Sequence, residues 1–187
     1  MTGKSQVQAL AEGSPVIRWL MTEGRHITDA KSFLECFAAR LRDAGVDVSR
    51  ITTGVPVLHP QLFSVSSLWE RGKGVTERRY RVDPSQDAIL ANSPIRSAYD
   101  GNPFRSRLTT AEQPEFPILT ELRSAGVTDY VVLPVPFSDG TNKALSLATT
   151  RVGGFSDDEI ALFEEMTPAV AVNPNCSNAI RARSWKS

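Results

Sequence analysis

The sequence predicts an α+β domain: a central antiparallel sheet of five to six strands with helices packed on its faces. Three observations predict it. Residues 128–172 read as strand, tight turn, strand, loop, helix. Residues 28–82 read as helix, strand, hairpin, strand, a succession that points to an antiparallel sheet with a helix on its face. Amphipathic stretches stand at both ends of the chain, and their apolar sides need a common surface.

Ser14-Pro15 opens the first helix, with Ser as N-cap and Pro at the first helical position. Val16, Ile17, Leu20 and Met21 form its apolar stripe, Trp19 stands beside it, and Gly24 is expected to stop it. Thr28 or Asp29 caps a second helix that buries Phe33, Leu34, Phe37, Ala38 and Leu41 and ends at Gly45. Cys36 falls within it and is expected to be an inert core thiol. A strand over 47–58 is rich in Val, Ile and Thr, and His59-Pro60 interrupts it because proline cannot donate to a ladder. Strands at 63–70 and 75–82 flank a turn at Arg71-Gly72-Lys73-Gly74.

Residues 83–110 are less regular. A short helix is expected over 94–99, a short strand over 104–108, and a helix over 115–125 that Gly126 stops. The hairpin follows. Its first strand, 130–137, is apolar and β-branched; Ser138-Asp139-Gly140 turns it; 143–150 alternates, with Leu145 and Leu147 opposite Ser146. Pro134 and Pro136, two apart, remove N–H groups from the same strand edge, as at a sheet edge or strand end. Val152-Gly153-Gly154 breaks the second strand. Ser156 with Glu159 is a capping box, and Ile160, Phe163, Met166 and Val170 follow at helical spacing until Asn173-Pro174 ends the helix. The terminal helices are expected on one face of the sheet and the inserted loop-and-helix segment on the other. Residues 1–13 read as a flexible arm, 14–172 as the domain and 173–187 as a polar tail.

The chain has 187 residues, 21 basic and 21 acidic side chains and a formal net charge of zero. Overall charge therefore supports neither nucleic-acid nor anionic-membrane binding. There is no run long enough to span a bilayer and no signal-peptide core, so the expected location is the cytoplasm. Two cysteines, Cys36 and Cys176, and two histidines, His26 and His59, lie far apart in sequence and make no metal-ligand spacing. No nucleotide-binding glycine motif, zinc-protease motif or locally supported catalytic triad occurs. No catalytic residue, metal site or cofactor is expected. The run Arg78-Arg79-Tyr80-Arg81 alternates faces in a strand and reads as a solvated edge. Asp157-Asp158 suits a helix start through the helix dipole.

Several stretches carry a family resemblance. IRWLMTEGRHITD, FAARLRDAGVDVSRI, LHPQL, WERGKGV, NSPIRSAYDG and FPILTELRSAGVTDY occur in order, followed by TDYVVLPVPFSDGTNKALSLATTRVGGFSDDEIALFEEMTPAVAV. Together they span 16–172 and resemble the GAF-like N-terminal regulatory domain of certain bacterial class III adenylate cyclases. The resemblance implies a GAF-like fold and a sensory role in cyclic-nucleotide signal transduction. In that family the closing helix continues into a linker and a catalytic domain that needs paired metal-binding aspartates; residues 173–187 do not supply one. The chain is therefore expected to be a non-catalytic regulator rather than to make cyclic AMP itself.

Trp69, Arg96, Tyr99, Phe104, Arg105 and Tyr130 are candidates to line a pocket between sheet and insertion. Aromatic rings with guanidinium groups suit a planar anionic ligand such as a cyclic nucleotide. The plainer reading makes the aromatics core and the arginines surface. The partners that this reading implies are a small-molecule ligand of unspecified identity, a second copy paired through the terminal helices, and a cyclase catalytic partner. The rival is a small GAF-fold oxidoreductase of the free methionine sulfoxide reductase type, which needs several cysteines around one pocket.

Overall fold

A computed structural model describes residues 13–59, 62–81, 92–109 and 115–173, with 55–59, 62–65 and 78–81 described by their backbone. The first helix, α1 (Pro15–Met21), starts from extended Ser14 with Pro15 in its first turn. It does not end on a left-handed glycine. The Thr22 N–H bonds to the carbonyls of Arg18 and Trp19, and the Thr22 hydroxyl also donates to Arg18 O. With those carbonyls satisfied, Gly24 instead opens a 3-10 turn, Gly24–His26. A Cβ on Gly24 would lie 3.1 Å from the Trp19 ring, so the glycine lets the turn close under that ring.

The second helix, α2 (Ala30–Asp43), is capped by Asp29, whose carboxylate accepts from the N–H and hydroxyl of Ser32. Those two bonds hold the Asp29 carboxyl below its ordinary value. Phe33, Leu34, Phe37, Ala38 and Leu41 are buried as their spacing requires. The rings of Trp19, Phe33 and Phe37 stack, with centroids 5.7 to 6.4 Å apart. Cys36 is exposed, against the core placement expected for it. At about 100° per residue it lies roughly 130° from the centre of the apolar arc, so helical geometry turns it to solvent despite its apolar neighbours.

Six strands form one antiparallel sheet: β1 (Arg50–His59), β2 (Leu62–Glu70), β3 (Gly74–Arg81), β4 (Phe104–Arg107), β5 (Asp129–Pro136) and β6 (Asn142–Thr149). Their order is β3-β2-β1-β6-β5-β4. The β1–β6 pair joins the two hairpins, aligning Ile51 with Leu147 and Thr53 with Leu145. The strand β4 pairs only with Asp129 to Val132. Pro134 and Pro136 lie beyond it, where among the described residues no strand pairs with that edge of β5 and a missing N–H breaks no ladder.

Register sorts the side chains onto two faces. Ile51, Trp69, Val131, Leu133, Leu145 and Leu147 pack against α1, α2 and the closing helix α5 (Asp157–Ala171). Tyr130, Val132, Ala144 and Ala148 pack on the opposite face with the insertion, namely α3 (Ile95–Tyr99), α4 (Pro117–Ser124) and Phe104 of β4. The terminal helices thus share one face and the insertion takes the other.

The capping box at the start of α5 is complete: Ser156 Oγ accepts from Glu159 N–H while the Glu159 carboxylate accepts from Ser156 N–H. Pro168 sits inside this helix and cannot donate to the carbonyl of Glu164. The Thr167 hydroxyl bonds to that carbonyl at 3.0 Å instead. Beyond the helix end, the fully buried Asn173 donates through Nδ2 to Gly24 O at 2.6 Å, tying the end of α5 to the turn after α1.

Candidate functional site

The insertion face of the sheet is small and polar at its centre. One row across the strands runs Tyr130, Ala148, Arg50, Glu70; the next runs Phe104, Val132, Ser146, Thr52, Leu68; a third includes Ala144 and Gly54. Tyr99, from α3, reaches over this floor: its hydroxyl is 3.5 Å from where a Cβ on Gly54 would sit. Gly54 interrupts a β-branched strand at the point where a side chain of the insertion approaches the backbone. Burial pushes the Tyr130 phenol above its ordinary value of 10.0, against the lesser effects of its bond with Ser146 and the charge of Arg50. It stays protonated at neutral pH. The Arg50 guanidinium bonds to Glu70 at 3.4 Å and is a quarter exposed. Among the described residues, the hydroxyls of Thr52, Tyr130 and Ser146 and the guanidinium of Arg50 share this face with Gly54, Ala144 and Ala148.

The six residues singled out from the sequence do not share this face. Tyr99, Phe104 and Tyr130 do, and Phe104 also meets Phe116 edge-on at 5.5 Å. Trp69 lies in the core beneath the terminal helices. Arg105 pairs in register with Val131 and so points to that same helical face. Arg96 is exposed on α3 and bonds to Asp100 at 3.1 Å. Arg50, Thr52, Gly54 and Ser146 were not singled out. Gly54 within a β-branched run was the signal that a closer reading of the strand held.

On the helical face a second polar centre surrounds Asp129. Its side chain is 0% exposed and accepts from Arg105 Nη2 at 2.8 Å, Arg105 Nε at 3.3 Å and Phe155 N–H at 2.9 Å. Arg105 Nη2 also donates to Phe155 O at 2.7 Å. The Asp129 contact raises the Arg105 guanidinium above its already high value. Nearby, Arg151 donates to Gly154 O and pairs with Glu159. These groups fasten the start of α5 to the sheet.

A shallow cleft on the same face, lined by Thr53, Val135, Lys143, Leu145 and Val170, holds about 10 Å³, at the lower limit for a single water. Lys143 lies over the Phe137 ring, 4.0 Å from its centroid. Among the described residues no group of three His, Cys, Asp or Glu side chains is placed to hold a metal ion. No described helix is long and apolar enough to cross a membrane. Cys176 and the side chains of His59 and the basic run at 78–81 lie outside the described residues.

Solved GAF domains share this architecture. The GAF domain of a two-component sensor histidine kinase from Bacillus halodurans matches with a TM-score of 0.54 at 18% identity, over 78% of this chain and 95% of that one. The GAF domain of a phosphoenolpyruvate-protein phosphotransferase from Coxiella burnetii matches at 0.52 and 12%, over 90% and 94%. The reduced form of fRMsr from Staphylococcus aureus matches at 0.50 and 10%, over 95% and 100%. No protein-family model matches the chain, and no curated protein matches it in sequence. At these identities the comparisons establish the fold: the chain is GAF-like.

Proposed function

We propose that this chain is a non-catalytic sensory and regulatory domain of cyclic-nucleotide signalling in a bacterial cytoplasm. It acts by taking a small molecule on the insertion face, by pairing with a second copy through its terminal helices, or by both, and it regulates a cyclase catalytic partner. The observation that carries the reading is the donor-rich floor of Arg50, Thr52, Tyr130 and Ser146 facing an inserted segment in a GAF-like fold. The resemblance over 16–172 to cyclase regulatory domains supplies the signalling context. The oxidoreductase reading has less support: Cys36 stands on the outer side of α2, on the far face of the sheet from the insertion.

A thermal-shift screen of the purified chain against cyclic nucleotides, nucleotides and small metabolites tests the ligand. Occupancy at about a hundred times the dissociation constant adds about 2.7 kcal/mol, which raises the midpoint by roughly 5–10 °C for a domain of this size. Arg50→Met should reduce that shift. A flat screen together with a monomer at high concentration in sedimentation velocity would overturn the proposal.

A further inference from the structure

The inserted arm and the closing helix meet at one side chain. Phe104 and Ser106 of β4 point into the insertion, and Arg105 between them points through to the other face. There a single guanidinium spans two elements. It grips the fully buried Asp129 carboxylate of β5 and the carbonyl of Phe155. Asp129 in turn holds the N–H of Phe155. Both backbone groups of Phe155 are therefore bound by this pair. Phe155 immediately precedes the N-cap of α5, and its ring meets Phe163 edge-on at 5.0 Å. Among the described residues, the other side-chain hydrogen bonds around this loop, from Arg151 and Thr128, come from the ends of β6 and β5 and not from the insertion.

We propose that Arg105 is the coupling residue of the domain, so that the seat of β4 and the seat of the first turn of α5 form one two-state element. The arrangement favours two states over gradual slackening. If Arg105 withdraws, Asp129 keeps, among the described residues, one hydrogen bond from the Phe155 N–H and the unbonded charge of Arg151 for a carboxylate with no exposed surface. A buried carboxylate stripped of its cation is strongly disfavoured. The pair therefore holds both elements or releases both, and a ligand that moves β4 is felt at the start of α5. The identity of the input rests on the function proposed above; the latch needs no ligand to be tested.

Coupling is reciprocal, which separates a latch from a plain structural bond. Hydrogen exchange would be followed by mass spectrometry on the full chain as wild type, Arg105→Gln, Arg105→Lys, Glu159→Gln and Arg96→Gln. Arg105→Gln should speed exchange across 153–162 by about tenfold, with β1 and β6 unchanged. Arg105→Lys, which keeps the charge but not the fork, should fall between and serves if the Gln variant folds poorly. Glu159→Gln, which loosens the helix start from its own side, should speed exchange in 104–107. Arg96→Gln, on the same inserted arm but outside the latch, should change neither region. Loosening of α5 by Arg105→Gln without the reverse effect from Glu159→Gln would overturn the proposal, as would uniform loosening of the sheet or no change. A flat nucleotide screen combined with reciprocal exchange would remove the proposed input and leave the latch standing.

Discussion

Gly154→Ala tests the packing at the start of α5 most sharply. Gly154 has φ +74°, and a Cβ there would sit 2.5 Å from Asp129 Oδ2 and 2.8 Å from Asp129 Cβ. Two costs add. An L-residue in the left-handed region costs about 1–2 kcal/mol. Displacing Asp129 weakens charge-assisted hydrogen bonds worth about 1.5–3 kcal/mol. Together these come to roughly 3–5 kcal/mol, or a midpoint lowered by about 6–20 °C at 2–4 °C per kcal/mol. The adjacent Gly153 is the internal control. Its φ is +89°, but no atom lies within 4 Å of its Cβ position. Gly153→Ala should cost only the backbone share, about 1–2 kcal/mol. Urea denaturation of both variants, with slopes compared against wild type, gives the two costs. Equal losses would refute the reasoning, because the excess at Gly154 belongs wholly to the contact with Asp129.

Pro168→Ala should stabilise the chain by about 1 kcal/mol: it restores an N–H for Glu164 O, while Thr167 already offsets part of the deficit and the unfolded chain gains freedom; a lower urea midpoint would count against this. Asn173→Ala should cost about 1 kcal/mol: Gly24 O keeps the Ile27 N–H but loses the side-chain donor that ties it to the end of α5, and tryptophan fluorescence should report the loosened turn around Trp19. Burial raises the Glu159 carboxyl, but the Arg151 and Ser156 hydrogen bonds outweigh it and hold the carboxyl below its ordinary 4.5. Its folded value is thus below its unfolded one, so the stability it adds is present above about pH 4.5 and is lost as pH falls through the lower folded value. Urea midpoints measured from pH 6 down to pH 3 should show a shallower acid decline in Glu159→Gln.

The helices were legible because their signals are local. The spacing 33, 34, 37, 38, 41 marks one face of α2 without reference to anything distant. The same wheel also placed Cys36 outside, so the core assignment for that thiol came from reading its neighbours rather than its angle. The strands were legible as strands, and the division of helices between the two faces followed from them. The site was less so, because the face that a strand residue takes depends on register. Phe104 and Arg105 are adjacent in β4 and cannot share a face, a parity that the sequence did contain. Trp69 needed more: its face is set through Ile51 and Leu147, which lie 18 and 78 positions away in the chain. The Gly153-Gly154 pair was readable as a strand break, but the need for the second glycine comes from Asp129 and exists only once β5 and the loop meet.

The identity of residue 105 follows from the same geometry. Two acceptors must be held at once, a carboxylate on β5 and a backbone carbonyl ahead of α5. They belong to elements joined through a whole hairpin, so neither positions the other locally. A lysine ammonium is a compact point charge on a flexible stem and can follow either acceptor when they part. A planar guanidinium offers several donors in a fixed fork, so its hold depends on the spacing between its acceptors. That sensitivity to spacing gives Arg105 more than a stabilising part. Arg105→Lys should preserve much of the stability of the pair while weakening the reciprocity between β4 and α5 in hydrogen exchange. Retention of full reciprocity in that variant would mean that charge alone carries the coupling.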